Sequence, residues 1–165
     1  MKILALDGNS IINRAFYGIR LLSTKDGRYT NAIYGFINIL LHLIEEHSPD
    51  CVAVAWDLKK PTFRHEMYAE HKAGRHAMPE ELAEQIPVMK ELVSLMGYSS
   101  LECEGFEADD ILGTLSSAAG ENGDYCVIAT GDRDSLQLIS DNTVVVLSAT
   151  KAGKPESTIY DKTAL

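Results

Sequence analysis

Four short apolar runs punctuate the chain: KILAL (2–6), CVAVAW (51–56), YCVIA (125–129) and TVVVL (143–147), each closed by polar or turn residues. Their length and β-branched content predict buried parallel strands. Between them the apolar spacing changes to that of a helix. Ile33, Phe36, Ile37, Leu40, Leu41 and Ile44 repeat at i, i+3, i+4 and i+7 after a Thr30-Asn31 cap signal, which predicts an amphipathic helix. MPEELAEQIPVMKELVSLMG (78–97) places Pro79 at a first helical position, Glu80 and Glu81 in the first turn and Gly97 at the stop, with Pro87 expected to kink or split the helix. A third helix is predicted from near Glu107 to Gly120. Strands alternating with helices imply an α/β fold, a mostly parallel central sheet flanked by helices.

Composition narrows this to one globular domain spanning 1–165. The 165 residues are 45% hydrophobic, enough for a core, and no linker, low-complexity tract or repeat divides them. The chain has three cysteines: Cys51, Cys103 and Cys126. They are widely separated and lie in or beside apolar runs, which predicts buried, reduced thiols in a cytosolic protein. The opening MKILALDGNS is too short for a signal-peptide core, and no run of about 18 apolar residues exists to span a membrane.

Charge changes the picture through its distribution. A formal net charge of -9 argues against a polyanionic partner, yet Leu58 to His76 holds five Lys or Arg residues against two acids. The carboxylates are also unevenly placed. Asp7 follows the first apolar run, Asp57 the second, and Asp132 and Asp134 the third, while GFEADDILG supplies Glu107, Asp109 and Asp110 at a predicted helix start. Taken singly, Asp132 or Glu107 reads as a helix cap and an Asp after a strand as a turn residue. Taken together, seven carboxylates are expected at the carboxyl ends of the strands, where open parallel sheets bind ligands.

Such a cluster repels itself unless protons or cations neutralise it. Oxygen ligands without His or Cys suit Mg²⁺ or Mn²⁺, and two such ions about 4 Å apart can serve phosphodiester hydrolysis. Glu107 and Asp110 share a helical face at i, i+3 whereas Asp109 does not, so convergence requires the helix to begin within the motif. A dehalogenase-like phosphatase also fits LALDGN, but it ordinarily needs an acid where Asn9 stands.

LALDGNSIINRAFYG, TNAIYGF, VAWDLKKPTFRHEMYAEHKAGR, GFEADDILGTL and TGDRDSLQL, in this order, closely resemble the 5′ nuclease domain of bacterial DNA polymerase I, within the flap endonuclease and PIN-like family. The resemblance implies a PIN-like, resolvase-like core with a helical arch, here about residues 58–80. It implies a structure-specific 5′-3′ exonuclease and flap endonuclease that uses two divalent metal ions. Its substrates would be DNA with 5′ flaps, nicks or 5′ ends and RNA primers, and its setting a cytoplasmic, nucleoid-associated role in replication and repair. Asp7, Asp57, Glu107, Asp109, Asp110, Asp132 and Asp134 fall on the family's metal-site acids. Arg64, Tyr68, His71, Lys72 and Arg75 fall on the strand-contacting arch, with Lys72 and Arg75 in catalytic positions, and Arg14 on a substrate-contacting arginine.

The sequence departs from the family pattern in three places. His71 stands where Tyr is common, although imidazole can still stack or donate, and Ser135 replaces a common Leu. The chain ends at Leu165, before the expected helix-hairpin-helix part and further metal-site aspartates; a polymerase domain is expected in the parent chain. Two other readings stay open. A stand-alone PIN-type ribonuclease shares the acidic core but does not require the basic arch, and a non-catalytic DNA-structure-binding module would bind without turnover.

Overall fold

The structure, a computed structural model, describes residues 1–58 and 77–164. Its strands are β1 Lys2–Asp7, β2 Cys51–Ala55, β3 Ser99–Leu101, β4 Tyr125–Thr130, β5 Thr143–Lys151 and β6 Lys154–Tyr160. They form one sheet in the order β3-β2-β1-β4-β5-β6, in which β6 alone runs antiparallel. The helices are α1 Gly8–Gly18, α2 Asn31–His47, α3 Glu80–Ala83, α4 Gln85–Leu95 and α5 Ala108–Glu121, and a 3-10 helix covers Arg133–Leu138.

The four apolar runs form the four central strands, as the sequence predicts. Successive strand residues face opposite sides, so each strand feeds two cores. Leu4 and Leu6 pack with Ile11, Phe36, Leu40 and Met89 beneath α1, α2 and α4, and Ala5 and Ile128 pack with Leu112 and Val145 beneath α5. Helices on both faces of a largely parallel sheet are the expected architecture.

Besides the 3-10 helix, three elements lie outside the predicted set. Helix α1 begins Gly8-Asn9-Ser10, a poor helix start by propensity, but Ile11, Ile12 and Ala15 are buried and carry it. Strands β3 and β6 are edge strands with little buried surface, so neither shows an apolar run. The cysteine expectation is corrected as well: Cys126 is buried, but Cys51 and Cys103 are exposed and all three are free. Cys51 opens β2 at the sheet margin, and Cys103 follows edge strand β3, where it is exposed among the described residues.

Pro87 splits its helix as expected. It has no N–H to donate to Ala83, four residues earlier, and α3 ends at Ala83. Pro79 stands at the N-cap, so the helix begins at Glu80, one residue later than predicted. The break leaves Gln85 at the head of α4, fully buried, and its side chain does the capping expected of Thr30, whose own side chain makes no cap bond to α2. Gln85 Oε1 accepts from the N–H groups of Ala32 (2.8 Å) and Ile33 (3.2 Å), which open α2. Gln85 Nε2 donates to Asn31 Oδ1 (3.0 Å) and to the Glu81 carbonyl (2.9 Å), and Asn31 in turn donates to the Phe16 and Ile19 carbonyls. Four helices, α1 to α4, therefore share one buried polar hub.

Removing that hub strands several buried polar groups. Gln85→Leu is expected to lower unfolding free energy by roughly 2–4 kcal/mol. Urea denaturation checks this through a lower midpoint at unchanged m; a loss below about 0.5 kcal/mol would count against the network as a stabilising unit.

Candidate metal and nucleic-acid site

Parallel strands β1, β2 and β4 end at the same side of the sheet, with Asp7 level with Ala55 and Leu6 level with Ala129. Asp7 closes β1, Asp57 lies two residues past β2, and Asp132 two past β4. Together with Glu107 and Asp109 they line a cavity of about 550 Å³, whose wall also includes Asn9, Ser10, Asn13, Arg14 and Arg133. Five of the seven expected carboxylates are thus brought together. Asp110 and Asp134 are not on this wall; Asp110 faces the neighbouring clefts beside Phe106. Arg64, Tyr68, His71, Lys72 and Arg75, and the arch of residues 58–80 apart from its ends, lie outside the described residues.

Backbone N–H groups at helix starts hold these acids. Asp7 is the N-cap of α1, and its Oδ1 accepts from Ser10 N–H at 3.1 Å. Asp57 Oδ1 accepts from Ala108 N–H, the first residue of α5, at 2.7 Å. Asp132 caps the 3-10 helix by accepting from Asp134 N–H at 2.9 Å. Glu107 is the N-cap of α5, and Asp110 Oδ2 accepts from Glu107 N–H at 2.9 Å. The cap reading and the cluster reading of these residues therefore hold together: unsatisfied N–H groups and the positive end of each helix favour the carboxylates the sheet assembles.

Residues that the acid pattern did not flag lock the arrangement. Asn9 Oδ1 accepts from Asp57 N–H (2.8 Å), fixing the chain after β2 against α1. Thr130 Oγ1 donates to Asp7 Oδ2 (3.1 Å) and accepts from Asp132 N–H (3.1 Å), while Ser10 Oγ accepts from Gly131 N–H (2.8 Å). The signal of Asn9 and Ser10 was the Gly8-Asn9-Ser10 stretch after β1, which reads equally well as a turn, and Thr130 closes β4 with no signal of its own. Two glycines permit the close approach: a Cβ on Gly8 would stand 2.5 Å from the buried Trp56 ring, and one on Gly131 would stand 2.7 Å from Arg14 Cγ. Arg14 donates to the Gly131 carbonyl at 2.8 Å, which holds its guanidinium at the cavity rim.

Asp7 is 6% exposed, and burial, reinforced by the Asp109 and Asp57 carboxylates, pushes its pKa from the usual carboxylate range to about 7 against the lowering effect of its Ser10 and Thr130 hydrogen bonds. Among the described residues no three His, Cys, Asp or Glu side chains by themselves form a metal cage. The donor set nevertheless fits a hard cation: only carboxylate, amide and hydroxyl oxygens surround the cavity's anionic centre, and the buried Asp7 has its negative charge disfavoured until a proton or cation offsets it.

The raised Asp7 pKa has a pH consequence. The folded metal-free chain retains a proton that the unfolded chain releases near pH 4, so this stabilisation is present below about pH 4 and is lost as pH rises to about 7. In EDTA, wild type is expected to lose up to about 4 kcal/mol relative to Asp7→Asn across that window. Urea unfolding at a series of pH values reads the difference, and parallel curves for the two proteins would contradict it.

Comparison with known proteins agrees with this fold. DNA polymerase I of Caldicellulosiruptor bescii is 43% identical over 160 residues, 97% of this chain and 19% of the polymerase, and that of Bacillus subtilis is 43% identical over 147 residues, 89% and 17%. The chain thus spans about a fifth of the length of these relatives. Among solved structures, T5 5′-exonuclease with bound zinc superposes with a TM-score of 0.64 at 20% identity, covering 88% of this chain and 54% of that one. The catalytic core of Rad2 in complex with DNA gives 0.52 at 14% identity, covering 99% and 48%. Residues 2–164 match the family described as 5′-3′ exonuclease, N-terminal resolvase-like domain, and the chain belongs to that family.

Proposed function

We propose that the chain is a divalent-metal-dependent 5′ nuclease domain that cuts DNA at 5′ flaps, nicks and 5′ ends and removes RNA primers, within or derived from a DNA polymerase I. The observation that carries this reading is the cavity where Asp7, Asp57, Glu107, Asp109 and Asp132 meet, brought there by three strand ends and the start of α5. T5 5′-exonuclease with zinc and Rad2 with DNA, which share the fold, support it. A cytoplasmic, nucleoid-associated location follows from such a substrate; no described helix is long and apolar enough to cross a membrane.

Two Mg²⁺ or Mn²⁺ ions, when bound, would supply acidified water and positive charge at the scissile phosphate. Mg²⁺ commonly takes one or two carboxylates and completes its shell with water and substrate phosphate, so an open carboxylate cavity suits it better than a closed cage would. Asp7, Asp57, Glu107, Asp109 and Asp132 would hold the ions. Asp110 and Asp134 would act from the rim, Asp110 by fixing the start of α5 and Asp134 through its N–H on Asp132. Ser10 and Thr130 orient Asp7, and Asn9 anchors the Asp57 backbone. Arg14 keeps its remaining guanidinium N–H groups for a phosphate at the rim. From the segment attached after Leu58, Lys72 and Arg75 would offset charge developing on the phosphate, while Arg64, Tyr68 and His71 contact the 5′ strand.

Asp109→Asn is expected to abolish metal-dependent cleavage of a 5′-flap substrate without lowering the melting temperature, because it removes one charge from a repulsive cluster. Undiminished cleavage would overturn the assignment, and binding without turnover by wild type, in this chain and in one extended past Leu165, would make the domain a DNA-structure-binding module. Replacing Lys72 and Arg75 together by Ala is expected to slow single-turnover cleavage at least a hundredfold while weakening binding less than tenfold; equal losses would assign them to strand holding alone.

A further inference from the structure

The carboxylate cavity does not end at Arg14. The same side chain also walls two shallower clefts of about 430 and 270 Å³, which share Ala149 and Lys151 with each other and Asn13, Gly131 and Arg133 with the cavity. The three form a continuous channel from the acidic centre, past the end of β4, to the β5–β6 hairpin. In a chain of net charge -9 the two outer clefts of this channel are locally basic: Arg14, Arg133 and Lys151 face one acid, Glu156. Among the described residues neither guanidinium is paired with a carboxylate. Arg14 donates to a carbonyl, Arg133 lies 5.7 Å from the centre of the Tyr160 ring, and Lys151 Nζ is 3.2 Å from Glu156 Oε2. Tyr17, 70% exposed, flanks the channel with its ring in a T-shaped contact with Phe16, 5.1 Å between centroids.

Several cations lining adjoining clefts beside an exposed aromatic ring suit a chain of phosphates carrying stackable bases. The position is informative too. The end of β2, after which segment 59–76 follows in the sequence, lies on one side of β1, whereas Arg14, Arg133 and Lys151 lie toward β4, β5 and β6 on the other. A strand crossing the acidic cavity needs attraction on both sides of it, since the cavity itself repels phosphate until cations fill it.

We propose that the channel walled by Arg14, Arg133 and Lys151 is a phosphate-backbone site that holds nucleic acid on the β5–β6 side of the carboxylate cavity, with Glu156 restraining its affinity. This rests on the nuclease reading above and adds a surface to it. Arg133 reaches the channel only because the 3-10 helix turns the chain after Asp132, and Lys151 only because β5 runs past the end of β4 to the hairpin.

The test is binding of a fluorescently labelled 5′-flap DNA with calcium in place of magnesium, followed by anisotropy at several salt concentrations. Arg133→Ala with Lys151→Ala is expected to weaken binding at least tenfold near 0.1 M salt and to reduce the salt slope by about 1.5. Glu156→Gln is expected to act in the opposite direction and tighten binding about twofold or more, a gain that loss of folding cannot imitate. Wild-type affinity and salt slope in both variants would overturn the channel while leaving the nuclease reading intact. Weaker binding in both would also overturn it, because it would mark the hairpin as a structural support. A wild-type chain that neither binds nor cuts the flap would overturn both proposals.

Discussion

Every feature of the candidate site depends on one interaction: a carboxylate accepting hydrogen bonds from the free N–H groups at a helix start. Parallel strands deliver their ends to the same side of the sheet, and the chain turns there into α1, α5 and the 3-10 helix. Each start leaves backbone donors unsatisfied and a partial positive charge. Asp7, Asp57 and Asp132 meet those donors, and in doing so are drawn to within one cavity. The fold thereby offsets part of the repulsion that its own topology creates. The Asp7 carboxyl, pushed up to about 7, shows how much repulsion and burial remain.

That balance accounts for the neighbours. Packing the Trp56 ring against Gly8 and stacking it on Phe36 sets the distance between the ends of β1 and β2. Asn9 then fixes the backbone of Asp57, and Thr130 ties Asp7 to Asp132 through a single hydroxyl. Replacing any of these small polar residues would disturb acids contributed by different strands. On the far side of α1, the Gln85 hub joins α1 and α2 to the helix pair that follows segment 59–76. The helix carrying Ser10 and Arg14 is therefore braced at both ends, by the carboxylate site and by a buried amide.

Much of this was legible in the linear pattern because the relevant signals are local. Apolar runs of β-branched residues gave the four central strands, Pro87 gave the split between α3 and α4, and acids placed just after strands gave the site. What escaped was the set of elements whose stability comes from elsewhere. Helix α1 starts with three poor helix formers and exists because Ile11, Ile12 and Ala15 find a core built by other segments. Edge strands β3 and β6 are held by pairing on one side and bury too little to leave a periodic trace. The capping of α2 by Gln85 joins residues more than fifty positions apart, and no local cap rule anticipates it.

By itself the sequence determined the alternation of strand and helix, the identity of the acids and their placement beside strand ends, because hydrophobic periodicity and chain direction are local properties. The tertiary structure alone decided which acids share a wall. Asp110, one residue from Asp109, turns to the start of its own helix and away from the cavity, since a helix rotates adjacent side chains by about 100°. It also decided that Arg14, Arg133 and Lys151, scattered over more than a hundred residues, border one channel. Sheet order brings them together, and sheet order is fixed by long-range burial that no short stretch of sequence encodes.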